Sequence, residues 1–220
     1  QPVRDGRPKE KQMQADLVIV GAGMVGSTLA LALAGSGLSI LVVDAGALEV
    51  PTFEAAAPFE PRVSALSMAS QRILERVGAW PGIVSRRACR YTDMRVWDGS
   101  GTGQIHFSAA SVHAEALGHI VENRVVQDAL LDALRAGGEV ELLGNASLQT
   151  LERDGTGWQI ELADGHRIRS ELVVAADGAQ STVRRLANCE TREWDYLHHA
   201  IVTSVRCAEP HLRAAWQRSG

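Results

Sequence analysis

Three glycines spaced as G-x-G-x-x-G join an aliphatic run to an alanine- and leucine-rich segment near the start of the chain. The run at residues 16–20 has the length and composition of a strand that is buried on both faces. Residues 24–34 predict a helix that ends at Gly35 and Gly37. A second aliphatic run, at residues 39–44, ends in an aspartate. This order predicts a right-handed βαβ unit with parallel strands.

In a loop that binds a dinucleotide, each glycine of this motif has a separate structural role. Gly21 allows a tight turn, Gly23 lets a pyrophosphate approach the backbone, and Gly26 lets the helix pack closely on the strand. The N–H groups at the start of the helix, among them those of Met24 and Val25, would hold the phosphate charge together with the helix dipole. Chance occurrence is the alternative, and the strand, helix and second strand around the motif favour dinucleotide binding.

The aspartate that ends the second strand, Asp44, is placed to accept hydrogen bonds from an adenosine ribose. Its carboxylate would repel a 2′-phosphate, which disfavours NADP at this site. The motif by itself leaves open whether the dinucleotide is FAD or NAD.

The rest of the chain predicts mixed helices and strands, and hence an α/β fold with an antiparallel excursion between parallel strands. The predicted elements are a loop over 46–61, a helix within 67–80 that is capped by Ser67 or Ser70 and ended by Gly78, antiparallel strands within 90–107, a helix over 123–138, a strand over 139–143, a hairpin over 157–170 with Asp164 and Gly165 as a two-residue turn, a third buried strand over 171–178, a short helix from Ser181 and a late strand over 200–207.

Composition narrows the functional classes. The net charge of −4 gives no indication of a nucleic-acid partner, and no apolar run reaches the ~18 residues of a membrane-spanning helix. The polar residues 1–13 lack the apolar core of a signal peptide and predict a disordered lead-in.

The three cysteines are far apart in sequence, and the adjacent His198 and His199 would point to opposite faces of a strand. We therefore expect a reduced, cytoplasmic protein with no metal site.

Four segments together resemble one family: "DLVIVGAGMVGSTLALALAGSGLSILVVD", "PRVSALSMASQRILERVGAW", "GHIVEN" and "LVVAADGAQSTVRR". They are similar to the flavin-dependent aromatic hydroxylases of ubiquinone biosynthesis, within the p-hydroxybenzoate hydroxylase fold. The resemblance covers about residues 14–211. The segments "VSRRACRYTDMRVWD", "LGHIVEN" and "WDYLHHAIVTSVRCAEPH" look closest to the branch that hydroxylates C5 of a polyprenylphenol ring. It implies a Rossmann-like FAD-binding domain with an inserted antiparallel β-sheet substrate domain.

The resemblance also implies which residues contact FAD. Gly21, Gly23 and Gly26 match the pyrophosphate loop, and Asp44 matches the ribose contact. Arg62 matches an arginine beside the pyrophosphate and ribityl chain, with a solvated loop arginine as the alternative.

Three further positions follow from the resemblance. Asn123 and Gln127 open a helix where relatives place one polar side chain near the flavin, although helix capping also explains Asn123. Asp177 and Gly178 match a second acidic-glycine turn that supports the FAD loop and is linked to NAD(P)H use. The alternative for this pair is an ordinary turn after a strand.

In this family, NAD(P)H reduces FAD, and the reduced flavin and O₂ hydroxylate an electron-rich phenol ring. The resemblance implies a polyprenylphenol substrate, other ubiquinone-biosynthesis proteins as partners, and at most peripheral contact with the inner membrane. No residue presents itself as catalytic. A G-D-A-A-H motif of the family is absent from these residues, so we expect an incomplete N-terminal part whose activity alone is in doubt.

The expected FAD-binding domain comprises residues 14–85 and 119–190, and residues 86–118 and 191–220 are expected to begin the substrate domain. Two alternatives stay open. One is a flavin enzyme that acts on another aromatic compound, and the other is an inactive fragment that binds nucleotide only.

Overall fold

A computed structural model describes residues 12–220. These residues form two compact units, one from residues 12–50 and 134–194 and the other from residues 51–133 and 195–220. Of the expected disordered lead-in, residues 1–11 lie outside the described residues, whereas Gln12 and Met13 already belong to the first strand. The division into an FAD-binding and a substrate domain stays a prediction.

Twelve strands and five α-helices follow one another along the described residues. In chain order they are β1 (Gln12–Val20), α1 (Met24–Leu33), β2 (Ile40–Val43), β3 (Val63–Ser67), α2 (Met68–Arg76), α3 (Trp80–Arg86), β4 (Cys89–Tyr91), β5 (Asp93–Asp98), β6 (Gln104–Ser108), a 3₁₀ helix (Ala109–Val112), β7 (Gly118–Glu122), α4 (Asn123–Gly137), β8 (Val140–Leu143), β9 (Leu148–Asp154), β10 (Gly157–Leu162), β11 (Arg167–Ala175), α5 (Thr182–Leu186) and β12 (Ala214–Ser219).

The first unit is built on a six-stranded sheet in the order β8-β2-β1-β11-β10-β9. β1 pairs in parallel with β2 and β11, β2 pairs in parallel with β8, and β9, β10 and β11 run antiparallel. Every residue of β2 and the last four residues of β1 are buried, as their continuous aliphatic runs predict. The predicted βαβ unit is therefore confirmed. Because β1 and β2 are parallel, their carboxyl ends lie next to each other at the same end of the sheet.

Two expectations for the first unit need correction. The predicted hairpin strand and the predicted third buried strand are one strand, β11, which pairs antiparallel with β10 and parallel with β1. Its later half is not buried on both faces, since Leu172 is 55% exposed. The hairpin turn is also longer than two residues, because the N–H of Leu162 donates to the carbonyl of His166 and Gly165 adopts a φ of 87° between them.

The second unit contains two three-stranded sheets, β3-β7-β4 and β12-β5-β6. Pairing of β5 with β6 is antiparallel, as predicted. The helix predicted within residues 67–80 is α2, and it ends at Gly78 as predicted, because Gly78 takes a left-handed φ of 76°. A further helix, α3, begins at Trp80. The hydroxyl of Ser67 accepts the N–H of Ser70, so Ser67 is the residue that caps α2.

The predicted late strand over 200–207 is wrong. Residues 190–213 contain no helix or strand, and Ile201 is 94% exposed. β-branched residues favour a strand only where a neighbouring strand and a packed face are available, and none of the described strands pairs with this segment. The last strand is β12, which pairs in parallel with β5. His198 and His199 lie in this irregular segment, so the argument from strand faces does not apply to them.

Among residues 12–220, no helix combines the length and apolar character needed to cross a membrane. Within the same range, no group of three or more His, Cys, Asp and Glu side chains is arranged to hold a metal ion.

Candidate functional site

The loop between β1 and α1 begins with a glycine that the fold itself requires. Gly21 has a φ of 105°, and a Cβ built there would lie 2.4 Å from the carbonyl oxygen of Ala176. Its N–H donates to the carbonyl of Val43 at 2.7 Å, which ties the turn to the end of β2. Both the backbone conformation and the close approach therefore exclude a side chain at this position.

Gly26 is required for a different reason, since it lies in the first turn of α1. A Cβ at Gly26 would lie 1.9 Å from the carbonyl oxygen of Gly21 and 3.2 Å from the Cβ of Ala176. The helix therefore packs directly on the loop that precedes it, as the close-packing role of the third glycine predicts.

Gly23 is the glycine that the fold does not require. Its φ of −69° and ψ of −176° are open to any residue, and a Cβ there would meet nothing within 4 Å. It is the N-cap of α1 and offers no side chain to the helix. The first N–H groups of a helix have no intrahelical acceptor, so those of Met24 and Val25 are donors for an anion. Val25 is 74% exposed, which keeps this end of the helix accessible.

Asp44 follows β2 and lies beside this loop. Its Oδ2 accepts the N–H of Ala22 at 2.7 Å, and its Oδ1 accepts the N–H of Gly46 at 2.7 Å. An ionised carboxylate has about four acceptor positions, so each oxygen can take a further hydrogen bond from a ribose hydroxyl. The open space at Gly23, the helix N-terminus and this carboxylate together fit the pyrophosphate and ribose of a dinucleotide.

The Asp177 side chain is engaged in the fold. Its Oδ1 accepts the hydroxyl of Ser181 at 2.5 Å, and its Oδ2 accepts the N–H groups of Thr182 and Val183 at 2.7 and 3.1 Å. These bonds cap the first turn of α5, a structural role that neither the FAD interpretation nor the ordinary-turn alternative predicted.

The backbone beside Asp177 touches the glycine loop. The N–H of Ala176 donates to the carbonyl of Val20, and the Ala176 carbonyl faces Gly21. Gly178 is exposed and adopts a φ of 83°. The roles of Asp177 and Gly178 in FAD or NAD(P)H binding stay predictions.

The remaining predicted contacts lie in the second unit, where two of them are neighbours. The N–H of Asn123 donates to the carbonyl of Arg62 at 3.0 Å, and the Oδ1 of Asn123 accepts the hydroxyl of Ser64 at 2.6 Å. The Arg62 side chain is exposed and has no hydrogen bond or ion pair with any other described residue. Gln127 follows one helical turn after Asn123 and is half-buried. Which of Asn123 and Gln127 faces a flavin stays open.

Sequence reasoning missed a buried ion pair in the second unit. Nη1 of Arg87 lies 3.2 Å from Oε1 of Glu122, and the two side chains are only 15% and 7% exposed. The available signal was Glu122 itself, a carboxylate at the end of the aliphatic run "GHIVE", where a buried charge needs a partner.

A family model described as "FAD binding domain" matches residues 14–219. The chain is 36% identical over 203 residues to 3-demethoxyubiquinol 3-hydroxylase of Escherichia coli, covering 92% of this chain and 51% of that protein. It is 38% identical over 201 residues to ubiquinone hydroxylase UbiL of Rhodospirillum rubrum, covering 91% and 46% respectively. The chain thus spans about half the length of the curated relatives it matches.

Solved structures give the same picture of the fold. A PqsL variant from P. aeruginosa superposes with a TM-score of 0.67 at 26% identity, covering 83% of this chain and 48% of that one. The p-nitrophenol 4-monooxygenase PnpA from Pseudomonas putida superposes with a TM-score of 0.62 at 24% identity, covering 80% and 44%, and this likeness concerns the fold alone.

Proposed function

The chain belongs to the FAD-binding domain family, and from that membership we propose that it binds FAD through residues 21–26 as part of a hydroxylase that acts on a prenylated phenol. The observation that carries the proposal is the open space at Gly23. The backbone there is accessible to any residue type, so the fold does not explain the glycine, whereas close approach of a pyrophosphate does.

The residues of the first unit have distinct roles in this proposal. The N–H groups of Met24 and Val25 hold the pyrophosphate charge, and Asp44 orients the adenosine ribose. The Ala22 N–H bond to Asp44 keeps that carboxylate beside the loop. The turn at Asp177 supports the loop through the contact of Ala176 with Gly21.

For the second unit we propose Arg62 as a contact of the pyrophosphate and ribityl chain, with Asn123 or Gln127 near the flavin. A guanidinium without a partner among residues 12–220 is available to pair with phosphate. When bound, FAD supplies the redox chemistry, with NAD(P)H as reductant and O₂ as the source of the hydroxyl oxygen.

The names of the relatives guide the choice of substrate. The Escherichia coli protein is a 3-demethoxyubiquinol 3-hydroxylase, and the Rhodospirillum rubrum protein is a ubiquinone hydroxylase. We propose a polyprenylphenol or a related prenylated quinol, with C5 of the polyprenylphenol as the first position to test. We also propose other ubiquinone-biosynthesis proteins as partners, at the inner membrane surface.

A second candidate function is nucleotide binding without hydroxylation. The observation that favours it is that the geometry of residues 21–26 and Asp44 fits a dinucleotide, a role that requires no hydroxylation. One experiment separates the two: the FAD-loaded chain is incubated in air with a short-chain polyprenylphenol or demethoxyubiquinol and with NADH or NADPH, and products are identified by mass.

Each outcome has a defined meaning. Hydroxylated product formed in proportion to NAD(P)H consumed supports the hydroxylase. FAD binding without product supports the second candidate. A chain that folds and does not bind FAD contradicts both.

A further inference from the structure

The Arg87–Glu122 ion pair does more than neutralise two charges in the second unit. A buried ion pair is stabilising only when its remaining donors and acceptors are also satisfied. Here the second oxygen of Glu122, Oε2, accepts the N–H of Glu60 at 2.8 Å, while Oε1 faces Arg87. Glu122 therefore ties Arg87 to the backbone of the loop that precedes β3.

Arg87 binds that same loop directly. Its Nη2 donates to the carbonyls of Glu54, Ala55 and Ala57 at 3.2, 3.1 and 2.7 Å. Its guanidinium lies 4.4 Å from the ring centre of Phe59 and 5.2 Å from that of Phe53. Residues 51–62 have no helix or strand to organise their backbone, so this single side chain supplies much of the order of the loop.

The loop and Glu122 are adjacent in sequence to two of the proposed FAD contacts, Arg62 and Asn123. Glu60 lies two residues before Arg62, and Glu122 immediately precedes Asn123. Val63 and Glu122 are partners in the pairing of β3 with β7, and the N–H of Asn123 donates to the Arg62 carbonyl. The Arg87–Glu122 pair thus fixes both backbone segments from which Arg62 and Asn123 project.

We propose that Arg87 is a positioning residue that sets Arg62 and Asn123 for binding FAD. This inference rests on the proposed function. The contacts require the guanidinium, because one nitrogen faces the carboxylate, another donates to three carbonyls, and the group lies within 5.2 Å of the centres of two aromatic rings. A lysine ammonium supplies the charge without this fork.

Arg87→Lys is the first test, and Arg86→Lys is its matched control. Arg86 lies next to Arg87, is also 15% exposed, pairs with Asp132 at 2.5 Å and donates to the Gly82 carbonyl. None of these partners belongs to the loop or to Glu122. We expect Arg87→Lys to raise the Kd for FAD at least about tenfold and Arg86→Lys to change it less than about twofold.

A double-mutant cycle distinguishes positioning from general destabilisation. If Arg87 acts through Arg62, then Arg87→Lys should raise the Kd much less in a chain that already carries Arg62→Ala. A merely structural role would instead multiply the two changes in Kd and would lower the Tm of the FAD-free protein equally in both backgrounds. Multiplicative effects on Kd would overturn the proposal.

A third variant covers the case in which Arg87→Lys does not fold. Phe59→Leu removes an exposed ring from the Arg87 guanidinium without touching the buried core, and we expect it to raise the Kd for FAD about two- to fivefold. In the FAD-free protein, chymotrypsin should cut faster after Phe53 in Arg87→Lys than in Arg86→Lys, because the loop loses its anchor.

Failure of the proposed function and failure of the positioning role give different results. An unaltered chain that does not bind FAD would refute the proposed function and this role with it. An unaltered chain that binds FAD, with Kd and chymotrypsin cleavage unchanged in both Arg87→Lys and Phe59→Leu, would overturn the positioning role alone.

Discussion

The substitution Gly23→Ser separates what the fold requires of the loop between β1 and α1 from what a bound cofactor requires. Gly23 is the N-cap of α1, it has an extended backbone, and a Cβ there meets no atom within 4 Å. Gly26 is the matched control, because a Cβ at that position would lie 1.9 Å from the carbonyl oxygen of Gly21. The same substitution, glycine to serine, is therefore tested at two sites of one loop.

The two substitutions are expected to change the free energy of unfolding in opposite directions. Gly23→Ser should raise the free energy of unfolding of the FAD-free protein by about 0.5–1 kcal/mol, since serine caps a helix well and restricts the unfolded chain. It should raise the Kd for FAD at least about tenfold, because the side chain fills the space of the pyrophosphate and competes for the helix N–H groups. Gly26→Ser should lower the free energy of unfolding by about 1–3 kcal/mol through overpacking.

Two measurements on each variant are sufficient. Guanidinium unfolding followed by circular dichroism gives the stability of the FAD-free protein, and quenching of flavin fluorescence gives the Kd. Full FAD affinity in Gly23→Ser would refute the assignment of this loop to the pyrophosphate. A Gly26→Ser variant as stable as the unaltered chain would refute the packing explanation.

Three more predictions concern carboxylates and a histidine. Asp44→Ala should weaken FAD binding by about 1–3 kcal/mol in a fluorescence titration, and it should also destabilise the FAD-free protein, because the hydrogen bond from the Ala22 N–H to Asp44 is lost. The N–H and hydroxyl of Ser39 donate to Asp16 and hold the pKa of that carboxyl below its usual range. This contribution to stability is present above about pH 4 and is lost as the pH falls through the lowered pKa, so Ser39→Ala should lose less stability than the unaltered chain between about pH 5 and 2. Burial lowers the pKa of His119, so the unfolded state takes up its proton first and stability should fall as the pH drops below about 6.5. His119→Phe should reduce that fall in urea unfolding at pH 7 and pH 5.5.

The part of the fold that the sequence predicts well is the part governed by neighbouring residues. The βαβ unit follows from two short aliphatic runs, one helix and three glycines, all within residues 16–44. The glycine loop and Asp44 belong to the same stretch, so their proximity is predicted from the sequence, and their role in binding FAD stays a prediction. Gly21 and Gly26 are explained by contacts within the loop and with Ala176, whereas a Cβ at Gly23 would meet no atom within 4 Å.

The errors concern pairing over long distances in the sequence. The segment over 200–207 has the composition of a strand, yet no described strand pairs with it. The sequence predicts two strands where the structure has β11, because polar and apolar residues alternate in the first half of β11 and aliphatic residues dominate the second half. In the structure this difference in pattern lies along one continuous strand. Local patterns indicate which residues favour a strand and not which partner covers them.

The same limit applies to the contacts predicted within the second unit. Arg62 and Asn123 are predicted separately, and only the structure shows the hydrogen bond between their backbones. Arg87 and Glu122 are 35 positions apart, and no spacing rule connects them. A buried carboxylate predicts that a partner exists, but the identity of the partner depends on the tertiary fold.

The most direct test of the central claim is a competition titration of the FAD-free protein with FAD, ADP and riboflavin. The claim is that residues 21–26 and Asp44 recognise the pyrophosphate and ribose of the adenosine half of FAD. ADP should therefore displace FAD from a single site, whereas riboflavin should displace it far less effectively. Riboflavin that competes as well as ADP, or FAD that stays bound at saturating ADP, would contradict the assignment of the loop.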